Sequence, residues 1–304
     1  MNHLIYRKKF SAAFVVALMA LPNTAQADDK LDNWAKGSKK WEKTHIHEQG
    51  VIDKITDKSK WDITVGAGAG FAPKYEGSDE MEFSGMPLID IVWNDTVYLG
   101  PDGLGAYVYQ DNGISVSGGI GYDGGRDQGD SSDLRGLGDV DGALTMNVNI
   151  EYDLGFVSPY VEVEKHLGGS DGLLAQVGVQ SMIPLGLITG DITANDMENM
   201  GDNDHPEGAA LMFGVSADWA DDNYTEEYFG VNARQSARSG YAQYDAEAGF
   251  KSINADIGVM VPVTKSWTAN AMLGYSQLVG DAADSPIVKD EGQVSGGLFV
   301  SYAF

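Results

Sequence analysis

The C-terminal segment alternates side-chain character with a period of two. Phe304, Tyr302, Val300, Leu298 and Val294 fall on one face, with Gly296 between them. Ala303, Ser301, Gly297, Ser295 and Gln293 fall on the other, where Phe299 is the one large intruder. Successive side chains of a strand point to opposite faces, so this segment has one apolar wall and one small, polar wall. A closing strand that is apolar outside and aromatic at its very end suits an outer-membrane barrel. Tyr302 and Phe304 would then form the C-terminal assembly signal at the periplasmic interface.

The same alternation recurs upstream. Trp61, Ile63, Val65, Ala67, Ala69 and Phe71 oppose Asp62, Thr64 and three glycines. Leu144, Met146, Val148, Ile150 and Tyr152 oppose Thr145, Asn147, Asn149 and Glu151. Ala255, Ile257, Val259, Val261 and Val263 oppose Asn254, Asp256 and Gly258. Aromatics gather at strand ends, where interfacial girdles lie. The expected fold class is all-β: a transmembrane, outer-membrane, antiparallel β-barrel.

At the N-terminus, Arg7, Lys8 and Lys9 precede an apolar stretch from Phe10 to Leu21 and an Ala25-Gln26-Ala27 cleavage pattern. These are the parts of a secretory signal peptide over residues 1–27, removed after Ala27. The stretch is short for a membrane helix, and no later segment offers the roughly 18 apolar residues that one needs. No Cys follows, so neither a lipoprotein anchor nor a disulfide is expected.

Without the leader's three basic residues, 17 Lys and Arg face 45 Asp and Glu, a net charge of −28. That acidity argues against nucleic acid as a partner and against anionic head groups. The charge is uneven. Residues 28–60 hold eight lysines against seven acids, whereas residues 61–304 hold nine basic residues against 38 acids. The chain therefore divides into a Lys-rich periplasmic extension, 28–60, and an acidic barrel, 61–304. In the extension, Leu31, Trp34, Ser38 and Trp41 have near-helical spacing. Trp34 and Trp41 are candidate partner contacts, since Trp is enriched at binding hot spots. The alternatives for this segment are a lumenal plug and a disordered leader.

Short turns at Asn94-Asp95, Asp111-Asn112, Leu154-Gly155, Leu185-Gly186, Asp221–Asn223 and Thr264-Lys265 alternate with long polar loops near 72–81, 124–139, 195–206, 236–247 and 280–291. With short outer turns at Pro101–Gly103 and Gly168–Asp171, the expected count is about 14 strands. Discounting the short hairpin around Pro101 gives 12 as the alternative, because its arms fall below the roughly 9–11 residues of a span.

Several loop motifs carry a resemblance. Pro73-Lys74-Tyr75-Glu76-Gly77-Ser78-Asp79 follows the first strand. Gly121-Tyr122-Asp123-Gly124-Gly125-Arg126 comes later, with Leu134-Arg135-Gly136-Leu137-Gly138-Asp139 close behind. Tyr228-Phe229-Gly230-Val231 and Gly280-Asp281-Ala282-Ala283-Asp284-Ser285-Pro286 complete the set. In this order they resemble the MipA/OmpV family, named for an outer-membrane protein that interacts with the murein transglycosylase MltA. The resemblance covers residues 61–304. It implies an outer-membrane barrel in contact with lipid, and a scaffold that brings a lytic murein transglycosylase and a murein synthase together. Other members are described as surface proteins or adhesins.

Candidate chemistry is sparse. Glu162, Glu164 and His166 share one face of a strand over 156–168. A Ser-His-acid hydrolase would need His166 close to a Ser and a carboxylate at the outer rim. No nucleophile–base pair is legible, so no enzyme, cofactor or metal site is expected. Asp62, Glu151, Glu162, Glu164 and Asp256 read as lumen acids, balanced by a cation such as Arg234 beside Asn232. Excess acid would make an open pore cation-selective, which gives the channel alternative. The acids and arginines between Asp123 and Arg135 read as a self-bridged loop. His45-x-His47 and Asp202-Asn203-Asp204-His205 read as solvated segments without the ligand sets of known metal sites.

Overall fold

A computed structural model describes residues 60–101, 103–155, 157–190 and 208–304. The expected signal peptide, residues 28–59 with Trp34, Trp41, His45 and His47, and the 202–205 loop lie outside the described residues.

Twelve antiparallel strands close into one barrel, β1 pairing with β12. They are β1 (Trp61–Pro73), β2 (Met81–Trp93), β3 (Val97–Gly100), β4 (Gly103–Asp111), β5 (Ile114–Asp123) and β6 (Ala143–Tyr152), then β7 (Ser158–Leu167), β8 (Leu173–Pro184), β9 (Ala210–Ala220), β10 (Gly249–Pro262), β11 (Trp267–Leu278) and β12 (Gly292–Ala303). Burial is inverted relative to a water-soluble domain. Leu144, Met146, Val148, Ile150, Ile257, Leu298 and Val300 are exposed on the outside, while Thr145, Asn254 and Ser301 are buried inside. Only a hydrocarbon surrounding rewards that arrangement.

Aromatic pairs mark the edges of the apolar band. Trp61 and Trp93 lie 6.4 Å apart at one end of the β1–β2 pair, and Phe71 and Phe83 5.9 Å apart at the other. Ten residues separate the pairs along β1, which at about 3.3 Å per residue and a tilt near 40° spans roughly 25 Å of membrane. Trp267, Tyr302 and Phe304 continue the first girdle, with ring centroids 5.1 and 4.9 Å apart. No helix among the described residues is long and apolar enough to cross a membrane.

The barrel has twelve strands, not fourteen, and the pair that drops out is not the one around Pro101. That hairpin exists as β3 and β4. What disappears is one strand expected after the Leu185-Gly186 turn and one expected after the Asp221–Asn223 turn. Leu185-Gly186 opens a short helix, α1 (Leu185–Thr189), and Asp221 caps another, α2 (Asp222–Phe229), by accepting from the Tyr224 N–H. The β8–β9 connection, 185–209, therefore leaves at the end that carries the short turns and Phe304.

At the opposite end the long connections fold onto each other. Here lie α2, α3 (Ala233–Ser239), α4 (Gly280–Asp284) and a single helical turn at Ser132–Leu134. Asn232 and Gln235 form a capping box for α3. Two apolar clusters build the cap: Tyr224, Phe229, Leu278 and Ala282 in one, Tyr75, Leu134, Leu137, Val231 and Ile287 in the other. Loop-to-loop hydrogen bonds stitch it, among them Tyr75 OH to the Ile287 carbonyl (3.1 Å), Ser285 Oγ to the Phe229 carbonyl (2.6 Å) and Gln235 Nε2 to the Leu137 carbonyl (2.8 Å).

Candidate functional site: an acidic chamber beneath a folded cap

Beneath the cap the lumen widens into a chamber of about 240 Å³. Carboxylates outnumber basic groups in its lining: Glu76, Glu82, Asp130, Glu162, Glu164, Asp218 and Asp256 accompany Lys74, Arg126, Lys251 and His166. Three of the five lumen acids read from the sequence, Glu162, Glu164 and Asp256, meet here. Asp62 and Glu151 occupy inward positions of β1 and β6 nearer the turn end and do not line it.

Asp218, on β9, is held from the strands on either side, β8 and β10. It accepts from Gln176 Nε2 (2.7 Å), Ser252 Oγ (2.9 Å) and Asn254 Nδ2 (3.0 Å), and Tyr160 OH in turn donates to Gln176 Oε1 (2.7 Å). Glu76, from the first cap loop, accepts from Lys251 Nζ at 2.5 Å and from Tyr224 OH at 3.1 Å. Lys251 reaches the lumen because the β9–β10 register shifts between Phe250 and Ser252. Strict alternation from Ile253 would point Lys251 at lipid; the bulge turns both Lys251 and Ser252 inward. Arg234 is not the lumenal cation. It is an exposed residue in the first turn of α3, and Asn232 caps that helix.

The arginine-and-acid loop is ordered, though not by bridging to itself. Arg126 crosses to α2, donating from Nη1 to the Tyr228 carbonyl at 2.5 Å and from Nη2 to the Glu227 carbonyl at 3.5 Å. Its Nε is buried without a hydrogen-bond partner. Burial lowers the affinity of this guanidinium for its proton from an already very high value. Burial also raises the Tyr224 and Tyr228 hydroxyls well above their usual range, so both remain neutral donors.

His166 lies at the chamber wall. Its Nε2 is 3.0 Å from Glu164 Oε1 and 3.7 Å from Asp123 Oδ2, and its Nδ1 is 3.2 Å from Ser170 Oγ. The residue types are those of a Ser-His-acid relay, a pairing that sequence spacing alone did not reveal. Ser170, however, is buried and does not line the chamber. Its Oγ accepts from the Gly172 N–H, and the Tyr224 backbone lies directly over Gly172. A molecule in the chamber would meet His166 and Glu164 but not that hydroxyl, so the cluster reads as a lock on the β7–β8 turn. Among the described residues, no three His, Cys, Asp or Glu side chains are placed to hold a metal ion.

Below the chamber large apolar side chains join the polar ones on the lumen wall. Met212, Met260, Met272 and Phe299 are all buried on inward faces, and Met182 packs against the first two. Phe299 fills space left by glycine: a Cβ on Gly68 would lie 2.2 Å from its ring, and one on Gly297 2.8 Å from it.

An outward apolar band between two aromatic girdles, around a polar interior, defines a membrane-spanning β-barrel of the outer membrane. The chain belongs to the family described as MltA-interacting protein MipA, which it matches over residues 65–304. No curated protein matches it. Among solved structures it is similar to the outer-membrane-expressed OmpT of Vibrio cholerae, at 10% identity over 80% of this chain and 97% of that one, with a TM-score of 0.34. It is similar also to OprD from Pseudomonas aeruginosa, at 11% identity over 81% and 65% of the two chains, TM-score 0.34. The anion-selective porin from Comamonas acidovorans shows 8% identity over 80% and 98%, TM-score 0.30.

Proposed function

We propose that this protein is an outer-membrane anchor that brings a murein transglycosylase and a murein synthase together at its periplasmic face, and that it does not act as a conduit. The observation that carries this reading is the set of large inward side chains below the chamber, Met212, Met260, Met272 and Phe299, all of them buried. The folded cap supports it from the other end, and the family's description refers to an interaction with MltA. Partner contact then falls to the periplasmic side. The turns there are short, but two longer segments leave at that end: residues 28–60, with Trp34 and Trp41, and the 185–209 connection. Export with removal of residues 1–27 belongs to the same proposal.

Planar-bilayer recording of the full barrel tests the conduit alternative. The anchor reading expects no conductance steps. Reproducible cation-selective steps would overturn it in favour of a channel fed by the acidic chamber.

A further inference from the structure

Three stretches without a carboxylate converge in the cap, although residues 61–304 hold 38 acids and only nine basic residues. They are residues 134–138 of the β5–β6 connection, 228–244 of the β9–β10 connection and 285–289 of the β11–β12 connection. Together they supply Leu134, Leu137, Val231 and Ile287 to one buried cluster, which leaves their charged residues outside it. Gly136 lies so close to α3 that a Cβ there would sit 2.8 Å from the Arg238 carbonyl carbon. Gln235 Nε2 donates to the Leu137 carbonyl, and Ser285 Oγ to that of Phe229. Lys289 Nζ stands 4.3 Å from the centre of the Tyr241 ring, just beyond the end of α3. Four exposed cations, Arg135, Arg234, Arg238 and Lys289, are thereby gathered around one short helix.

The fold makes little use of these cations. Among the described residues, the guanidinium groups of Arg135, Arg234 and Arg238 have no hydrogen-bond or ion-pair partner, and Lys289 Nζ makes one hydrogen bond, to the Pro286 carbonyl at 3.0 Å. Asp133, Asp139, Glu227, Asp245, Asp284 and Asp290 flank the three stretches yet pair with none of the arginines. Arg234 even opposes the helix dipole, since it stands in the first turn of α3, where an acid would be stabilising. Arg238, in the last turn, favours the dipole. Local stability therefore accounts for Arg238 but not for Arg234 or Arg135. The two helical arginines are one turn apart, with about 5–6 Å between their Cβ atoms. The capping box and the Ser236 Oγ bond to the Tyr241 carbonyl, 2.6 Å, hold them in place before anything binds. A partner then has less to order when it docks.

We infer that this surface docks an acidic polysaccharide chain that reaches the protein from the external medium. Oxyanion groups along the chain pair with the guanidinium forks of Arg135, Arg234 and Arg238, and Lys289 adds a fourth charge. The rest of the barrel sets the footprint, because its surplus of acids repels a polyanion everywhere else. A slender chain can follow four cations. A nucleic-acid duplex, densely charged along its whole length, would also lie against the surrounding carboxylates. The inference is independent of the anchor reading, since the cap stands at the end opposite the periplasmic segments.

The test uses the folded full-length protein in detergent and a fluorescein-labelled dextran sulfate oligosaccharide, with binding read by anisotropy at low salt. Affinity should exceed that for uncharged dextran severalfold and should fall steeply as added salt shortens the Debye length to about 8 Å. Arg135→Gln, Arg234→Gln and Arg238→Gln should each weaken binding about threefold, the scale of an exposed ion pair. The triple variant should bind no better than it binds dextran. Lys265→Gln removes an exposed cation from the β10–β11 turn at the other end of the barrel and should change nothing. Every variant is checked for heat-modifiable folding, and alanine replaces glutamine where one fails to assemble. Equal affinity for dextran and dextran sulfate, full affinity in the triple variant, or an equal loss from Lys265→Gln would overturn the proposal. Two competitors can overturn it as well. Oligothymidylate competing more strongly than unlabelled dextran sulfate would make the partner a nucleic acid, and purified lipopolysaccharide doing so would place the partner in the membrane itself.

Discussion

Phe299 and Lys251 are the residues on which the lumen turns, and each breaks the alternation that makes the barrel readable. Phe299 stands out in the sequence as a bulky side chain on a face of Ser, Gly and Gln, but its partner glycine, Gly68, is more than two hundred positions away. Phe299→Ala should therefore open the lower lumen and cost about 3–5 kcal/mol, the range for a buried Phe truncation. A lower unfolding temperature of the heat-modifiable form, together with new conductance, would register both effects. Lys251 was not legible at all, since only a β-bulge points it inward. Lys251→Met would remove the Glu76–Lys251 ion pair and should destabilise by about 3 kcal/mol. The Glu76→Gln, Lys251→Met pair should recover much of that loss, and a double-mutant cycle in denaturant reads the difference. Glu80 carries a pH dependence. Its carboxyl is held below the usual value of 4.5 by Lys74 and Ser131, which links two cap loops. A depressed folded value means the link holds above 4.5 and is lost as pH falls through that lower value. Amide exchange at residues 74–80 and 127–136 should quicken only in that acid window, and Glu80→Gln should remove the step.

At the scale of elements, the strands were the legible part and their number was not. Alternation identified the β1, β6, β10 and β12 segments, because lipid outside and polar groups inside impose a period of two on every residue. The count of fourteen failed at Asp221–Asn223. Asp at a helix N-cap and Asp in a tight turn look alike in sequence, since in both the side chain accepts from a backbone N–H two or three residues on. Here the acceptor serves Tyr224 and starts α2, which moves the whole 221–248 connection to the cap. The cap's loop motifs were visible as motifs, yet their pairing across the barrel mouth depends on contacts between distant connections. Asn232→Ala tests one of them. Losing the α3 capping box should cost about 1 kcal/mol and raise exchange and protease cutting in residues 233–239, with the strands unaffected.

The whole molecule combines an outward apolar band, a capped outer mouth, an acidic chamber and a lower lumen into which Phe299 and several methionines project. Of the chamber, the sequence displayed Glu162, Glu164, His166 and Asp256 as inward residues. It hid Asp218, Glu76 and Arg126, which arrive from a strand read less clearly and from two folded loops. Assembly should depend on the closing strand: removing Phe304, whose N–H bonds to the Ile63 carbonyl across the β1–β12 seam at 3.1 Å, should reduce the heat-modifiable fraction without changing the fold of what assembles. The proposed role puts partners on the periplasmic segments and makes the barrel their anchor. Capture of murein transglycosylase and synthase from periplasmic extract, on immobilised full-length protein, tests it most directly when repeated with residues 30–58 deleted. On the anchor reading, capture is lost with the deletion while heat-modifiable folding is retained. Undiminished capture by the deleted chain would contradict it.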